Sequence, residues 1–172
     1  MNKENQQVTK DNLSNNENLA YLAGIIDGEG SLLITKTLSH NRYCYTSRLQ
    51  IPNTNEGIIN KICEVLDFWN INGHIETRDR NKKHKICYVI TINGVNKLIK
   101  LLPIIIPYLF GKREQAKLLL RFCKSRLKNQ SKKTELIHNL DGTIKRAIRK
   151  DGYIKEEISL YEQLVLLNKK GR

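Results

Sequence analysis

Several features that would direct this sequence to a membrane or to an oxidising compartment are missing. No apolar run approaches the roughly 20 residues that a membrane-spanning helix needs, and the polar first residues exclude a secretory signal peptide. The cysteines lie far apart, with no C-x-x-C pair and no histidine at metal-ligand spacing. We therefore expect reduced thiols in an intracellular protein, without a disulfide framework or a zinc site.

Acidic residues are scarce relative to basic ones. Lysine and arginine number 30 against 17 aspartate and glutamate residues, which gives a formal net charge of +13. A surplus of this size suits a polyanionic partner, because phosphate contacts supply much of the affinity of nucleic-acid-binding proteins. Charge alone fits a ribosomal or other RNA-binding protein equally well.

A length of 172 residues with 40% hydrophobic residues is typical of one globular domain. Residues 1–16 are almost entirely polar, and we predict that they form an N-terminal arm. The first helix is then predicted to begin at about Glu17. Residues 17–172 are expected to form a single domain.

Small residues recur within the first helical pattern. Ala20, Gly24 and Gly28 are four residues apart, so on a helix they lie on one face. Such a stripe lets a second backbone approach closely. Glycine inside a helix costs roughly 1 kcal/mol against alanine, so Gly24 needs a packing or functional reason.

Glu29 stands at the end of this helix, between Gly28 and Gly30. If two copies of the helix pair along the stripe, two Glu29 carboxylates come side by side and need a neutralising cation. Mg²⁺ takes one or two carboxylates together with phosphate oxygens and water, and the Gly28 carbonyl would be a further oxygen ligand. The alternative is a buried amphipathic helix that ends in a glycine turn with one exposed acid.

The nine residues from Leu22 to Gly30, LAGIIDGEG, resemble the motif that names the LAGLIDADG homing endonucleases. The resemblance implies an α+β fold with the order α-β-β-α-β-β-α, in which helices back a saddle-shaped antiparallel sheet. Because the motif occurs once, it also implies a homodimer that forms through the helix and binds a pseudo-palindromic DNA site. The interface residues would be Ala20, Ala23, Gly24 and Asp27.

Alternating patterns predict strands at 31–37, 43–51, 71–80 and 85–92, paired as two hairpins around a helix from about Asn55 to Trp69. A polar ribbon of this kind fits the major groove, and Arg and Lys suit guanine and phosphate contacts. The alternative for the polar faces is simple solvation. The predicted DNA-binding residues are Leu33, Thr35, Thr37, Cys44, Thr46, Arg48, Gln50, Glu76, Arg78, Arg80, Lys82, Lys83, Lys85 and Cys87.

The resemblance extends to the catalytic residues. The segment PYLFGKREQA at 107–116 is similar to a family segment whose lysine enters the active site, here Lys112. Gln50 and Asn53 match positions where the family keeps polar residues near the cleavage centre, although many members have glutamine at the Asn53 position. Glu29 and the Gly28 carbonyl would hold Mg²⁺, two or more ions per dimer, with Mn²⁺ as a substitute. Lys112 would stabilise charge at the scissile phosphate.

Beyond Lys128 the chain is cationic, and its apolar residues predict extra C-terminal helices that brace the sheet, with turns at Asp141-Gly142 and Asp151-Gly152. The last of these helices is predicted to run from Glu156 to Leu167. Basic side chains in this region are predicted to contact backbone phosphates: Lys132, Lys133, Lys145, Arg146, Arg149 and Lys150.

The sequence thus predicts a site-specific, Mg²⁺-dependent endonuclease that cuts both strands of DNA, in the cytoplasm or an organelle of an intron-bearing host. Two other classes stay open. One is a maturase or a catalytically inactive nucleic-acid-binding relative on the same scaffold. The other is an unrelated basic RNA-binding protein, which would be a monomer without metal-dependent cutting.

Overall fold

The computed structural model describes residues 3–39, 42–79, 85–130, 134–149 and 153–170. The chain order is α1 (Lys3–Gly28), β1 (Ser31–Ser39), β2 (Arg42–Asn53), α2 (Glu56–Phe68), β3 (His74–Arg78), β4 (Cys87–Asn93), α3 (Val95–Ile105), a 3-10 turn (Ile106–Tyr108), α4 (Arg113–Gln130), β5 (Thr134–His138), β6 (Ile144–Arg149) and α5 (Lys155–Lys170). The predicted α-β-β-α-β-β-α order is confirmed. No helix in these ranges combines the length and apolarity needed to cross a membrane.

Strands β1 to β4 form one antiparallel sheet in the order β1-β2-β4-β3. Residues opposite each other in an antiparallel ladder share a face, and successive residues alternate between faces. The register therefore places one set of residues together on what we call the outer face. This set is Ser31, Leu33, Thr35, Thr37, Cys44, Thr46, Arg48, Gln50, His74, Glu76, Arg78, Cys87, Val89, Thr91 and Asn93.

The opposite face of the sheet packs against the helices and forms the core. Its central side chains are apolar and buried, as the alternation in the sequence predicts. The helices contribute Phe122 of α4 as the largest fully buried side chain. Further core residues are Leu22, Ile26, Leu32, Ile34, Leu49, Ile51, Ile59, Ile62, Ile90, Ile92, Leu98, Leu102, Ala116 and Leu119.

The helix α1 begins at Lys3, so the predicted start at about Glu17 was wrong. Lys, Glu and Gln are good helix formers, and a helix that is already anchored by packing can be extended by them without an apolar stripe. Near the middle of α1, the Tyr108 hydroxyl donates a hydrogen bond to the Asn16 side-chain oxygen at 2.8 Å. Residues 3–16 are therefore the first turns of α1.

The prediction of several C-terminal helices was also wrong in part. Among the described residues after α4, β5 and β6 form a separate antiparallel hairpin, and α5 is the one helix. Short apolar runs fit a strand or a helix by periodicity alone, which explains the error. The turn at Asp141-Gly142 is confirmed, with φ of 82° at Gly142 and a 2.9 Å hydrogen bond from the Thr143 N–H to the Asp141 carboxylate. The predicted turn at Asp151-Gly152 lies outside the described residues.

A buried ion pair fixes α5 to α4. The Arg126 guanidinium donates to the Glu157 carboxylate at 3.2 Å, and the two side chains are 6% and 0% exposed. Glu157 also accepts a hydrogen bond from the Ile154 N–H at 3.2 Å. The Arg126 guanidinium lies 3.8 Å from the Tyr153 ring centroid, and the Tyr153 hydroxyl donates to the Tyr45 carbonyl of β2. These contacts position α5 against the sheet.

Candidate functional site

A two-residue turn, Glu29 and Gly30, joins α1 to β1. The Glu29 N–H donates to the Ile25 carbonyl at 2.8 Å and the Gly30 N–H to the Ile26 carbonyl at 2.9 Å. A Cβ on Gly30 would lie 2.7 Å from that Ile26 oxygen, a clash that only glycine avoids without backbone movement. The turn therefore holds Glu29 in one place, with its side chain exposed. Within the described ranges, no group donates a hydrogen bond to the Glu29 carboxylate.

Asp27, two residues earlier, faces its own chain. Its carboxylate accepts hydrogen bonds from the Phe110 N–H at 2.7 Å and from the Lys112 N–H at 2.8 Å. Burial raises the pKa of Asp27, but the hydrogen bonds from the backbone of Phe110, Lys112 and Gly111 outweigh it and hold the pKa below its ordinary 3.8. The Asp27 side chain thus fixes the start of α4 to the end of α1, and its place in a dimer interface stays a prediction.

The side chain of Lys112 also binds to the end of α1, in this case to backbone carbonyls. Its Nζ donates to the Asp27 carbonyl at 2.8 Å and to the Ile26 carbonyl at 2.9 Å, in the last turn of α1, where carbonyls lack the partners that a continuing helix would supply. The Ile26 carbonyl also accepts the bond from the Gly30 N–H. Burial lowers the pKa of Lys112 below its ordinary 10.5, against the raising effect of the Asp27 and Glu29 charges. The structure thus places the Lys112 ammonium within electrostatic range of the Glu29 carboxylate.

A cleft of about 240 Å³ opens beside the Glu29 turn. Glu29 and Lys112 line it, together with Gln115 one turn further along α4 and Asn168 near the end of α5. The Asn168 amide donates to the Leu32 carbonyl of β1 at 3.0 Å. Sequence reasoning did not identify Gln115 or Asn168. Lys112 directly precedes α4 and Gln115 lies three residues later in its first turn, a spacing that was a usable signal for Gln115.

Gln50 and Asn53 occupy different environments on β2. Gln50 lies on the outer face opposite Ser31, the first residue of β1, and its amide donates to the Thr91 hydroxyl at 3.2 Å. It therefore lies close to the Glu29 turn. Asn53 is at the far end of the strand, where its side-chain oxygen accepts a hydrogen bond from the Asn55 N–H at 2.8 Å. That bond supports the start of α2, and a catalytic role for Asn53 stays a prediction.

The exposed face of the second half of α1 carries a row of small residues. Gly24 and Gly28 are exposed, and a Cβ on either would meet no atom within 4 Å. Ala20 lies on the same face, and Tyr21 beside it is 39% exposed. Ala23, in contrast, is fully buried within the chain. Its predicted place in a dimer interface needs correction, because the core already covers it.

The outer face gathers the predicted DNA-binding residues that the structure describes, apart from Lys85, which is exposed just before β4. Arg78 forms an ion pair with Glu76 at 3.0 Å. The Nε atom of Arg48 is buried without a hydrogen-bond partner among the described residues. Three residues predicted to bind DNA at the hairpin tip, Arg80, Lys82 and Lys83, lie outside the described residues, as do Lys132, Lys133 and Lys150.

A family model described as LAGLIDADG endonuclease matches residues 22–124, more than half of the chain. The chain belongs to the LAGLIDADG endonuclease family. The match begins in the second half of α1 and ends in α4, so it contains the Glu29 turn, Gln50 and Lys112. No curated protein matches the chain. Because α5 lies beyond the matched range, Asn168 adds to the cleft from a segment outside the LAGLIDADG model.

Solved LAGLIDADG structures have the same fold. The homing endonuclease I-CvuI in complex with its target in the presence of Ca is 21% identical, covers 90% of this chain and 84% of that chain, and has a TM-score of 0.62. The archaeal intron-encoded homing endonuclease I-Vdi141I in complex with DNA is 15% identical, with 91% and 87% covered and a TM-score of 0.65. The intron-encoded I-CeuI in complex with DNA is 18% identical, with 67% and 57% covered and a TM-score of 0.55.

Proposed function

We propose that this LAGLIDADG protein is a homodimeric endonuclease that uses Mg²⁺ to cut both strands of a long pseudo-palindromic DNA site. The observation that carries the proposal is the position of Glu29. The carboxylate is exposed, lacks a hydrogen-bond donor among the described residues, and lies at the end of a helix that exposes Gly24 and Gly28 on one face. A two-fold dimer through this helix would bring two such carboxylates together.

The glycines of α1 support the dimer. Packing inside the chain gives no reason for glycine at position 24 or 28, because a Cβ at either position would be in open space. A second helix backbone lying against this face would supply the reason. Phe110 is 91% exposed, and its N–H is bonded to Asp27 at the end of α1. A partner subunit across α1 would cover this ring, which otherwise lies in water.

The donor atoms at the turn fit Mg²⁺ when two subunits share them. Within the described residues, no three carboxylate, histidine or cysteine side chains come together as a metal cluster. One subunit therefore offers the Glu29 carboxylate and the Gly28 carbonyl. This small oxygen set suits Mg²⁺, which completes its coordination with water and phosphate oxygens. A crystal structure of I-CvuI with DNA was obtained in the presence of Mg, and the family resemblance supports two or more ions per dimer, with Mn²⁺ as a substitute.

The outer face supports a DNA partner. Hydroxyl, amide and guanidinium groups of Thr46, Gln50 and Arg48 lie side by side on adjacent positions of one strand face, where they can reach base edges in the major groove. The net charge of +13 supplies phosphate contacts on the flanks. Two solved structures that share the fold, I-CvuI and I-Vdi141I, are complexes with DNA. A DNA substrate also implies action inside the cell or organelle that carries the target.

Each group of the site has a chemical part in this proposal. Glu29 and the Gly28 carbonyl would hold the cation, and Mg²⁺, when bound, would supply Lewis-acid activation of the attacking water and of the leaving 3′ oxygen. Lys112 places a positive charge near the phosphate while its hydrogen bonds to the Ile26 and Asp27 carbonyls keep the Glu29 turn in position. Gln50 contacts the DNA beside the cut. One phosphodiester is hydrolysed on each strand.

The substitution Glu29→Gln tests the proposal, because it removes the charge and keeps the shape. The substrate is a duplex that joins the two exon sequences on either side of the intron that encloses the open reading frame. We expect the variant to bind this duplex within about threefold of wild type and to lose cleavage in Mg²⁺ by about a thousandfold, which corresponds to losing about 4 kcal/mol of the transition-state stabilisation that a catalytic metal supplies. Glu64→Gln on α2, where the side chain is exposed beside Lys61, is the matched control and should cut normally. Equal loss of binding and cleavage in Glu29→Gln would contradict a metal-binding role.

A further inference from the structure

Gln115 lies in the cleft beside the Glu29 turn, and the proposed function gives it no role. The cleft is continuous with the outer face of the sheet, because Ser31 and Leu33 line it and both belong to that face. A duplex that lies on the outer face can therefore reach the cleft with its backbone. Any polar group that is free in this cleft is available to the DNA.

The other half-buried polar side chains of the cleft already have partners inside the chain. The Lys112 ammonium donates to two carbonyls of α1, and the Asn168 amide donates to the Leu32 carbonyl. Gln115 is also half-buried, yet its amide has no hydrogen-bond partner among the described residues. An amide of this kind carries two donors and an acceptor that a ligand or water can satisfy.

The start of α4 presents Gln115 to the cleft and does not engage it elsewhere. Arg113 Nε donates at 2.6 Å to the backbone carbonyl four residues before it, and Glu114 pairs with Lys117 at 2.7 Å. Side chains on a helix lean toward its N-terminus, so Gln115 leans toward Lys112, with which it shares the cleft. This end of α4 therefore offers the cleft one positive charge held in position and one free amide.

The chemistry of a phosphodiester selects the donor half of that amide. The nonbridging oxygens of a phosphodiester only accept hydrogen bonds, so the amide N–H groups are what can bind them. Donors aimed at oxygens that gain negative charge in the transition state accelerate the reaction. A neutral donor suits a cleft that also contains Glu29, because a further free cation there would pair with the carboxylate and compete with Mg²⁺ for it.

We propose that Gln115 is a catalytic residue whose amide nitrogen donates a hydrogen bond to a nonbridging oxygen of the scissile phosphate. This inference rests on the proposed function, because the phosphate is the one beside Glu29 and Lys112. The amide transfers no proton. As the water oxygen bonds to phosphorus and the bond from phosphorus to the 3′ oxygen breaks, one proton passes from the water to solvent and one passes from solvent to the 3′ oxygen. Gln115 stabilises the negative charge on the nonbridging oxygen during this exchange.

Two substitutions test the donor. Gln115→Met keeps the length of the side chain and removes its hydrogen-bonding groups, whereas Gln115→Glu keeps an acceptor and removes the donors. Neither breaks a hydrogen bond within the described chain, so both should have wild-type stability in urea unfolding. In single-turnover cleavage with Mg²⁺, Gln115→Met should be about thirtyfold slower than wild type, the effect of losing one hydrogen bond to a charged group. Gln115→Glu should be at least as slow. Gln163→Met, the same change at an exposed position of α5, should cut like wild type.

A binding measurement in EDTA tests the same contact without a metal ion or cleavage. The cut position is mapped from the wild-type products, and a methylphosphonate there replaces one nonbridging oxygen of the phosphate by a methyl group. Fluorescence anisotropy measures the change in affinity from phosphate to methylphosphonate. This change should differ between wild type and Gln115→Met by about fivefold for one of the two stereoisomers, because only one of them loses the oxygen that Gln115 binds. Gln163→Met should respond like wild type.

The outcomes separate this inference from the proposed function. If Gln115→Met cuts within about threefold of wild type, or if both proteins respond equally to both methylphosphonates, the contact is overturned while the proposed endonuclease stands. If Gln115→Glu cuts like wild type, an acceptor is sufficient and the donor role is overturned. If the wild-type protein cuts no duplex in Mg²⁺, the proposed function fails and this inference fails with it.

Discussion

Replacement of Gly24 by a larger residue should stabilise the isolated subunit and weaken the dimer. Within one chain, a Cβ at this position meets no atom within 4 Å, and alanine or leucine is favoured over glycine in a helix interior by about 0.8–1 kcal/mol. The isolated subunit should therefore gain up to about 1 kcal/mol in its free energy of unfolding. In a two-fold dimer, both copies of the new side chain enter the same interface.

The free-energy cost of placing two new side chains in one interface follows from the typical cost of overpacking. Inserting a large side chain into a packed interface costs roughly 1–3 kcal/mol, and each Gly24→Leu dimer contains two copies. At about 1.4 kcal/mol for each copy, the dimer dissociation constant should rise about a hundredfold. Gly24→Ala should also raise the dimer dissociation constant, but by less than Gly24→Leu. Cleavage should fall in parallel, because each subunit brings one Glu29.

Sedimentation velocity over a range of protein concentrations measures the dissociation constant, and urea unfolding of dilute protein measures subunit stability. Lys100→Leu, which adds the same side chain at an exposed position of α3, is the control. A Gly24→Leu protein that sediments as a dimer like wild type and cuts DNA at the same rate would refute this mode of pairing. A variant whose subunits unfold more easily would instead show that Gly24 is needed inside the chain.

Three further outcomes are expected from the same geometry. Asp27→Asn should lower the free energy of unfolding near neutral pH, because a carboxylate with a depressed pKa stabilises the fold above its ordinary 3.8. The difference from wild type should disappear as the pH falls through the lowered pKa of Asp27, where the carboxylate loses that effect. Urea unfolding at several pH values measures the difference. Glu157→Leu should cost about 3–5 kcal/mol, because it leaves the Arg126 charge buried and unpaired, and adding Arg126→Met should restore most of the loss in the same assay. Lys112→Met should cut DNA at least about a hundredfold more slowly than wild type in a single-turnover assay, whereas restoration of full activity by saturating Mg²⁺ would argue that the lysine only positions the turn.

The alternation of apolar and polar residues along the strands predicted the two faces of the sheet well. Leu32 and Ile34, which alternate along the first strand with the predicted DNA-binding residues, are buried, and Arg48 and Gln50 lie on the opposite face. In a strand with one buried face, every second residue must be apolar. This pattern extends over only a few neighbouring residues, so it can be seen in the sequence without knowing the fold. The start of α1 at Lys3 was missed for the related reason that a polar segment leaves no periodic signal.

Contacts between distant parts of the chain could not be predicted. The hydrogen bonds from Lys112 to the end of α1 join residues about 85 positions apart, and no local pattern distinguishes that lysine from one in solvent. Asn168 reaches the cleft over a still longer separation. The resemblance of the 107–116 segment identified Lys112 as important, and the structure adds what its side chain touches. The buried state of Ala23 was missed because the small-residue pattern does not tell which helix face is covered.

The clash that forces glycine at position 30 also joins helix and strand into one unit. The backbone of Gly30 packs directly on Ile26, and its N–H bonds to the Ile26 carbonyl, so β1 follows α1 without an intervening loop. In the proposed dimer, the spacing between the two half-sites of the DNA is then set by how closely the paired helices approach each other. A substitution that changed this approach would move the cut positions relative to the recognised bases, so the length of the overhang is a property of protein packing and not of base recognition.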